Sequence, residues 1–415
     1  EGMENGAVEQ TLDSLKAAGV DYVVYNNVEP NPKIRNIKEV KKLYEESGAD
    51  SIITVGGGSA HDTGKGAGII LTNGDDITKL AGIETLDKAL PPLIAVNTTA
   101  GTGSELTRHA VITNEETHLK FVVVSWRNIP LVSFNDPTLM LDVPKGLTAA
   151  TGMDTFVQSI EPYVSTNRNE ITDGQCVEAI KLVEESLREA VSNGHNLEAR
   201  TKMVEAEMLG GMAFNNADLG YVHAMAHQLG GQYDAPHGVC CAMLLPIVEK
   251  YNIPACPERF AELAKIMGEN TDGLSTRDAA DLAIKAMRQM CDDVNIPRSI
   301  KSIGAKPEDF ELMAENALKD FGTDHMSLAN ADVTESIGAS VARVAKSLGV
   351  KTIVAATESG YTARMISKYR PDANILAVTF DDRTRRGLMV NWGVYPIVAE
   401  KPANTDAMFD LAAAK

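Results

Sequence analysis

The sequence is poor in positive charge and in long apolar runs. Its 39 Lys and Arg residues stand against 57 Asp and Glu residues, which gives a formal net charge of −18. Nucleic acids and anionic membranes bind proteins largely through Lys and Arg, so this balance argues against both as partners. No apolar run reaches the roughly 18 residues that a membrane span needs, and we expect no signal peptide at the start.

Cysteines and aromatic side chains are also scarce. Aromatic residues make up 5% of the chain, and the five cysteines form an odd number without a CxxC pair. A disulfide framework is therefore not expected, and a reducing cytoplasm is the predicted location. The simplest interpretation of each cysteine is a small buried apolar residue. The five are Cys176, Cys240, Cys241, Cys256 and Cys291.

The 415 residues suggest two or three domains. They fall into three parts that differ in composition and hydrophobic pattern. In residues 1–144, strand-like runs alternate with helical patterns, which predicts a mostly parallel Rossmann-like sheet. Residues 145–320 are rich in helix-forming residues and predict an all-helical domain. Residues 321–333 lack periodicity and indicate a linker, and residues 334–415 predict a small separate α/β domain. The fold class is thus α/β plus all-α.

Within the first part, hydrophobic spacing predicts individual elements. Helices are expected around Val8–Leu15 and Ile34–Leu43, with Gly48 ending the second. The predicted strands are Asp21–Tyr25, Ser51–Val55, Leu93–Asn97, Lys120–Val124 and Leu131–Phe134. In the last part, the strands are expected at Thr352–Ala356, Asn374–Phe380 and Val394–Ala399.

A glycine-rich turn follows the strand that ends at Val55. Gly56, Gly57, Gly58 and Ser59 lead into a helix from about His61, and such a strand–turn–helix start suits an anion. The alternative is a tight turn without a ligand. Asp62 and Lys65, near the helix start, either bond a ligand or simply cap and solvate the helix.

A second polar loop follows the strand at Leu93–Asn97. Its sequence is NTTAGTGS, from Asn97 to Ser104. Two such loops at the carboxyl ends of parallel strands border the crevice in which these sheets bind ligands. The pair therefore favours a cofactor site over an empty turn.

Three of the eight histidines fall in one short window. His223 and His227 are one helical turn apart and share a face, and glycines and a proline then let His237 fold back. Asp154 is expected to open an earlier helix. A carboxylate with two or three imidazoles suits Fe²⁺ or Zn²⁺, although spacing alone leaves open whether His223 or His227 is the ligand. The isolated histidines are expected to be core or surface groups.

The motifs together resemble the iron-containing (group III) alcohol dehydrogenases over about residues 1–320. The matching segments include GGGSAHDTGK, NTTAGTGSELT, FNDPTLM, LTAATGMD and GMAFNNADLGYVHAMAHQLGGQYDAPHGV. The resemblance implies NAD or NADP as cofactor, a small alcohol or aldehyde as substrate, and a homo-oligomer. It makes His227 and Asp154 the catalytic residues, with His227 beside the nicotinamide rather than on the metal.

The resemblance also implies two sets of binding residues. The metal would be held by Asp154, Gln158, His223 and His237. The cofactor would be bound by Asn31, Gly57, Gly58, Ser59, Asp62, Thr98, Thr99, Thr102, Lys120, Thr138, Leu139, Met140 and Leu141.

The chain departs from the family pattern in three places. The family has a histidine where Gln158 stands, and an amide oxygen is a weaker ligand than imidazole. The family's first strand is expected to precede Glu1 and to be missing here, and its closing helices are not found after Asp320. These departures motivate an alternative function, a catalytically impaired chimera that only binds cofactor and sugar phosphate.

The last part resembles the C-terminal domain of bacterial pyruvate kinase. In that family the loop after the first of these strands can hold a phosphate of a sugar-phosphate activator, which here implies Thr357, Ser359, Gly360 and Thr362 as phosphate-binding residues. The alternative is a capped turn without a ligand, because Glu358 brings a negative charge to the loop. No kinase activity is expected, since nothing resembles the catalytic barrel.

Overall fold

The structure is a computed structural model that describes residues 6–117, 119–318, 320, 341–342, 345, 348–369, 371–389 and 391–401. The chain divides into two compact units, Glu1–Asp324 and His325–Lys415. The predicted linker at 321–333 lies outside the described residues, as do two of the isolated histidines, His118 and His325. So does most of the segment before Gly349, where the spacing of Ile337, Val341, Val344 and Leu348 predicts a helix. The finer domain boundaries stay predictions.

The first unit begins with an α/β region. Its helices are α1 (Ala7–Ala17), α2 (Ile34–Ser47) and α3 (Gly58–Asn73). Its strands are β1 (Ile52–Gly56), β2 (Gly82–Ile83), β3 (Leu93–Asn97), β4 (His109–Asn114), β5 (Leu119–Val124) and β6 (Val132–Phe134).

These six strands form two small sheets. The first has the order β1-β3-β6 and is parallel, with Ile52 opposite Leu93 and Val96 opposite Phe134. The second has the order β2-β5-β4, and its β4–β5 pair is antiparallel. Both polar loops leave the carboxyl ends of β1 and β3, so the parallel sheet places them side by side.

The prediction of a strand at Asp21–Tyr25 is wrong. The segment has no regular structure, and Val20, Val23 and Val24 are 46–51% exposed. Strand-forming side chains need a neighbouring backbone to pair with, and no strand among the described residues pairs with this segment. Strand β4 was not predicted, because its polar ends hide the apolar alternation of Ala110 and Ile112.

The rest of the first unit is helical and has a large apolar core. Its helices are α4 (Lys145–Val164), α5 (Glu170–Ser192), α6 (Leu197–Ala217), α7 (Tyr221–Tyr233), α8 (His237–Asn252), α9 (Pro257–Ile266), α10 (Thr276–Asp293) and α11 (Phe310–Ala317). Helix α4 runs through the core, with Met153, Phe156, Val157 and Ile160 fully buried.

Small residues let α8 approach α4 closely. A Cβ atom placed on Gly238 would lie 2.0 Å from the carbonyl oxygen of Ala150, so only glycine fits there. This contact brings the first turn of α8 against the second turn of α4. Because α4 begins at Lys145, the expectation that Asp154 opens this helix is wrong. His237, the neighbour of Gly238, is thereby carried to Asp154.

The second unit contains a three-stranded parallel sheet. Strands β7 (Thr352–Ala356), β8 (Asn374–Thr379) and β9 (Val394–Val398) pair in this order, with helices α12 (Tyr361–Lys368) and α13 (Asp382–Leu388) between them. Its own apolar core includes Ile353, Ile375 and Leu388. All three strands expected from the sequence are present.

Among the described residues, every helix is too short or too polar to cross a bilayer.

Candidate metal and cofactor site

Helices α4, α7 and α8 bring a carboxylate and two imidazoles together. Asp154 Oδ1 lies 3.5 Å from His223 Nε2 and 3.6 Å from His237 Nε2. Asp154 and His223 are each 2% exposed. The three side chains, which the sequence places up to 83 positions apart (237 − 154), thus point at one place.

Three of the donor atoms at this place lack hydrogen-bond partners. Asp154 Oδ1, His223 Nε2 and Gln158 Oε1 are buried and make no hydrogen bond. An unpaired buried polar atom is costly, and a cation between these atoms would satisfy them together. Oxygen and imidazole donors in this number suit a divalent transition metal, so the residues present fit the ion that the resemblance implies.

His223 is held in place by Glu161, which sequence reasoning missed. Its Nδ1 lies 2.5 Å from Glu161 Oε2, and Glu161 Oε1 accepts the backbone N–H of Val222 at 2.7 Å. A hydrogen bond at Nδ1 fixes the ring so that Nε2 faces the ligand position. Residues 154, 158 and 161 repeat at helical spacing, and this face of α4 is the signal that would have revealed Glu161.

The two metal-facing imidazoles differ in electrostatics. Burial lowers the pKa of His237 well below its usual range, so its ring is neutral and ready to donate a lone pair. Burial also acts to lower the pKa of His223, but the neighbouring Cys241 and Glu161 outweigh it and raise that pKa. A cation at this place must therefore displace a proton from His223.

Cys241 also belongs to this group of ligand atoms. One donor atom each from Asp154, His223, His237 and Cys241 lies within 4.8 Å of the others. The cysteine is one helical turn after His237 on α8. The sequence analysis treated it only as a buried apolar residue, although its spacing from His237 placed it on the same face.

Gln158 lies one turn after Asp154 and borders the same cavity. Its Nε2 donates a long hydrogen bond of 3.4 Å to the carbonyl of Thr102, which leaves Oε1 as the unpaired atom. The side chain therefore connects the metal ligands to the second polar loop.

His227 faces the cavity but is anchored differently. Its Nδ1 lies 3.0 Å from Asp320 Oδ2, and its ring stacks on that of His237 with centroids 5.3 Å apart. When Nδ1–H donates to this carboxylate, Nε2 becomes an acceptor for a proton. Asp320 was not singled out by the sequence, because only the fold brings it to α7.

The two polar loops after β1 and β3 are in contact. A Cβ on Gly57 would meet Thr99 Oγ1 at 2.8 Å, and a Cβ on Gly58 would meet Thr102 at 2.7 Å. The glycines are thus required by close packing of loop on loop. Gly58, Ser59 and Thr102 then border the cavity that also holds the histidines.

Asp62 and Lys65 support the loops from below. Asp62 accepts hydrogen bonds from Ser104 Oγ at 2.7 Å and from the backbone N–H of Val111 at 3.2 Å, and burial raises its pKa. Lys65 is fully buried, and its Nζ donates to the carbonyl oxygens of Ser104, Thr107 and His109. Burial lowers the Lys65 pKa to about 8.

Both roles offered for Lys65 are therefore wrong. It neither reaches a ligand nor solvates the helix end, because the chain from Ser104 to His109 folds over α3 and covers it. Asp62 does line the cavity, and its role as a cofactor-binding residue stays a prediction.

Asn31 and Lys120 form the far side of the cavity. Lys120 Nζ donates to Asn31 Oδ1 at 2.7 Å, and Asn31 Nδ2 donates to Asp234 Oδ1 at 2.7 Å. Both border the cavity.

Seven predicted cofactor residues are not among those that line the cavity: Gly57, Thr98, Thr99, Thr138, Leu139, Met140 and Leu141. Gly57, Thr98 and Thr99 belong to the packed loops behind it. Thr138 bonds the side chain of Asp136 at the start of a short 3₁₀ helix, and Met140 is 1% exposed. The structure thus collects six of the thirteen around the cavity: Asn31, Gly58, Ser59, Asp62, Thr102 and Lys120.

In the second unit, the predicted phosphate loop links β7 to α12. Gly360 has a φ of +81°, a value that favours glycine, and Ser359 Oγ accepts the Tyr361 N–H at 3.4 Å. Lys401 Nζ lies 2.7 Å from Glu358 Oε1 and offsets its charge. Thr357, Ser359, Gly360 and Thr362 as sugar-phosphate residues stay a prediction, which titration calorimetry with fructose 1,6-bisphosphate checks.

Comparison with known protein families finds two families in the chain. Residues 1–137 match the iron-containing alcohol dehydrogenase family, and residues 148–340 match the C-terminal part of the Fe-containing alcohol dehydrogenase family. Residues 335–415 match the pyruvate kinase alpha/beta domain. The predicted combination of two families in one chain is confirmed.

Individual relatives agree. The chain is 56% identical to a 1,3-propanediol dehydrogenase of Citrobacter freundii over 77% of this chain and 82% of that one. It is 38% identical to the lactaldehyde reductase of Escherichia coli K12 over 77% and 83%. The solved alcohol dehydrogenase from Oenococcus oeni superposes with a TM-score of 0.75 at 81% identity, covering 80% of this chain and 87% of that one.

These relatives are named as dehydrogenases and a reductase, and they lend no support to the alternative of an impaired chimera. The matched family spans both the α/β region with its paired loops and the helices that carry the histidines. The chain belongs to the iron-containing alcohol dehydrogenase family.

Proposed function

We propose that this chain is an NAD- or NADP-dependent alcohol dehydrogenase that interconverts a small primary alcohol or diol and its aldehyde. The observation that carries the proposal is the convergence of unpaired buried atoms of Asp154, His223 and Gln158 on the cavity bordered by the glycine loop. Relatives named for 1,3-propanediol and lactaldehyde support the substrate class.

Asp154, His223 and His237 would hold the divalent metal, Fe²⁺ or Zn²⁺, with Gln158 beside them. When bound, such an ion lowers the pKa of an alcohol hydroxyl or polarises a carbonyl, and the nicotinamide exchanges the hydride. The protein would bury the metal ligands, orient His223 through Glu161 and keep water away from the reacting atoms of the substrate and the nicotinamide.

His227 is the residue placed to move a proton. Asp320 holds its Nδ1, so Nε2 can take a proton from the alcohol hydroxyl during oxidation and return it during reduction. The stacking of its ring on His237 keeps it beside the metal ligands. Asp154 contributes as a ligand of the metal.

The dinucleotide would extend from this point along the paired loops. Gly58, Ser59 and Thr102 offer backbone and hydroxyl donors near the start of α3, where a helix dipole favours a phosphate. Asn31 and Lys120 border the other side. The remaining predicted residues of the loops would act through their packing. Oligomeric state and a cytoplasmic location stay predictions.

The test is metal-dependent turnover by the whole chain. The purified protein is loaded anaerobically with Fe²⁺ or separately with Zn²⁺ and given NAD or NADP with ethanol, 1,2-propanediol or 1,3-propanediol. We expect reduced nicotinamide to appear, and Asp154→Asn to abolish it. The matched control is Asp142→Asn, since Asp142 is exposed and lies near His195 rather than in the site.

Two results would contradict the proposal. One is the absence of turnover in both directions with every metal and both cofactors, although the protein unfolds cooperatively. The other is unchanged turnover in Asp154→Asn.

A further inference from the structure

The site contains a soft ligand that the resemblance does not supply. Cys241 is fully buried on α8, one turn beyond His237, and its Sγ lies 3.6 Å from His237 Nε2. The adjacent Cys240 is equally buried but does not belong to the group of ligand atoms. The two neighbouring cysteines therefore face different surroundings.

Three of the six distances between the four donor atoms match those around one tetrahedral ion, and all four atoms lie within 4.8 Å of one another. With zinc bonds of about 2.3 Å to sulfur and about 2.0–2.1 Å to nitrogen or oxygen, a tetrahedron separates N from O by about 3.4 Å and S from N by about 3.6 Å. The structure has Asp154 Oδ1 at 3.5 Å and 3.6 Å from the two imidazole nitrogens. It has Cys241 Sγ at 3.6 Å from His237 Nε2.

Two other donor atoms of this group, besides the thiol, are buried and lack hydrogen-bond partners. Asp154 Oδ1 and His223 Nε2 are buried without hydrogen-bond partners, so the thiol does not stand alone. Glutamine occupies position 158, and its neutral amide oxygen is a weaker donor to Fe²⁺ or Zn²⁺ than a thiolate. Its amide nitrogen is already directed to Thr102.

We propose that Cys241 Sγ is the fourth protein ligand of the metal, completing Asp154, His223 and His237. The assignment rests on the proposed function, because it takes that metal site as given. Binding breaks the S–H bond of Cys241 and forms a metal–sulfur bond, and the proton leaves to solvent. No oxidation or reduction is involved.

A thiolate changes which metal the site prefers. Soft sulfur ligands favour Zn²⁺ over Mg²⁺ and Mn²⁺, which prefer oxygen. Gln158 then lies beside the ion without completing its set of four protein ligands, and its Nε2 keeps the hydrogen bond to the carbonyl of Thr102.

The experiment uses Co²⁺ as a spectroscopic probe in the whole chain. The protein is stripped with a chelator and titrated with Co²⁺ under anaerobic conditions. We expect one Co²⁺ per chain, visible bands typical of tetrahedral coordination, and a near-ultraviolet band from sulfur-to-cobalt charge transfer. Cys241→Ser should lose the ultraviolet band and weaken Zn²⁺ binding at least about tenfold, measured by competition with a chromophoric chelator.

Cys240→Ser is the matched control and should keep both the band and the zinc affinity. Tight cobalt binding by the unmodified chain without the charge-transfer band would overturn the assignment of Cys241 while leaving the proposed metal site intact. No uptake of cobalt, zinc or iron by the unmodified chain would overturn both. Because the unmodified chain decides, the result does not depend on how well Cys241→Ser folds.

Discussion

Replacing Glu161 by glutamine tests how the metal-facing imidazole is held. The carboxylate accepts two hydrogen bonds, from the backbone N–H of Val222 and from Nδ1 of His223. A glutamine of the same shape has one acceptor oxygen and one NH₂ group. One of the two donors must then face an NH₂, unless His223 changes tautomer and carries its proton on Nε2.

The magnitude follows from either outcome. A proton on Nε2 blocks the lone pair that would bind metal, and a turned ring moves it away. Loss of such an orienting partner typically weakens metal binding 10- to 100-fold, or about 1.4–2.7 kcal/mol. Leaving a buried donor unpaired also lowers the free energy of unfolding by about 1–3 kcal/mol. Glu161→Gln should therefore be less stable and should bind the metal more weakly.

The assay is zinc affinity by competition with a chromophoric chelator, on protein shown by circular dichroism to be folded. The matched control is Glu249→Gln, which alters another fully buried carboxyl side chain in the same helical region. We expect the control to bind zinc within about threefold of the unmodified chain. A Glu161→Gln protein with unchanged zinc affinity would refute the argument that Glu161 orients His223.

Three further predictions concern other groups. Burial raises the Glu249 pKa from 4.5 to about 8, so stability should fall as pH rises from about 4.5 to about 8; Glu249→Gln should flatten that fall in urea unfolding measured against pH. Lys65→Met should lower the free energy of unfolding in urea by about 3 kcal/mol or more, because three backbone carbonyls lose their donor. The control Lys79→Met, at an exposed lysine, should change it by less than about 0.5 kcal/mol. His227→Asn should lower kcat about 10²- to 10⁴-fold in steady-state kinetics, while the metal content per chain stays unchanged. A loss of metal content as large as the loss of kcat would contradict a proton-transfer role.

Local patterns predicted helices, whose backbone hydrogen bonds are internal, and those strands whose pairing partners are present in the described structure. Helix α2 and its end at Gly48, strand β3 and all three strands of the second unit are close to where the sequence places them. The failure at Asp21–Tyr25 has the opposite cause. A strand is stable only when another backbone pairs with it, and a run of β-branched residues carries no information about whether that neighbour exists.

The site was predicted in the same uneven way. The spacing of His223 and His227 predicted a shared helical face, but nothing in the spacing links Asp154 on α4 to α7, so its place beside the histidines was predicted only from the chemistry of the ligand set. Lys65 was misjudged since its burial depends on a loop some forty residues later in the chain. Its side chain gives no sign of this in the local sequence.

Glu161 and Cys241 lie on the same helical faces as residues that the sequence already predicted to be metal ligands. Each lies at helical spacing from a residue already chosen as a ligand, seven positions after Asp154 and four after His237. Spacing alone could not have decided between them and other residues on those faces. That choice is made by Gly238, whose missing Cβ lets α8 touch the backbone of α4 at Ala150. A larger residue at position 238 would hold Cys241 and His237 away from Asp154. The same ligand residues would then not form a metal site.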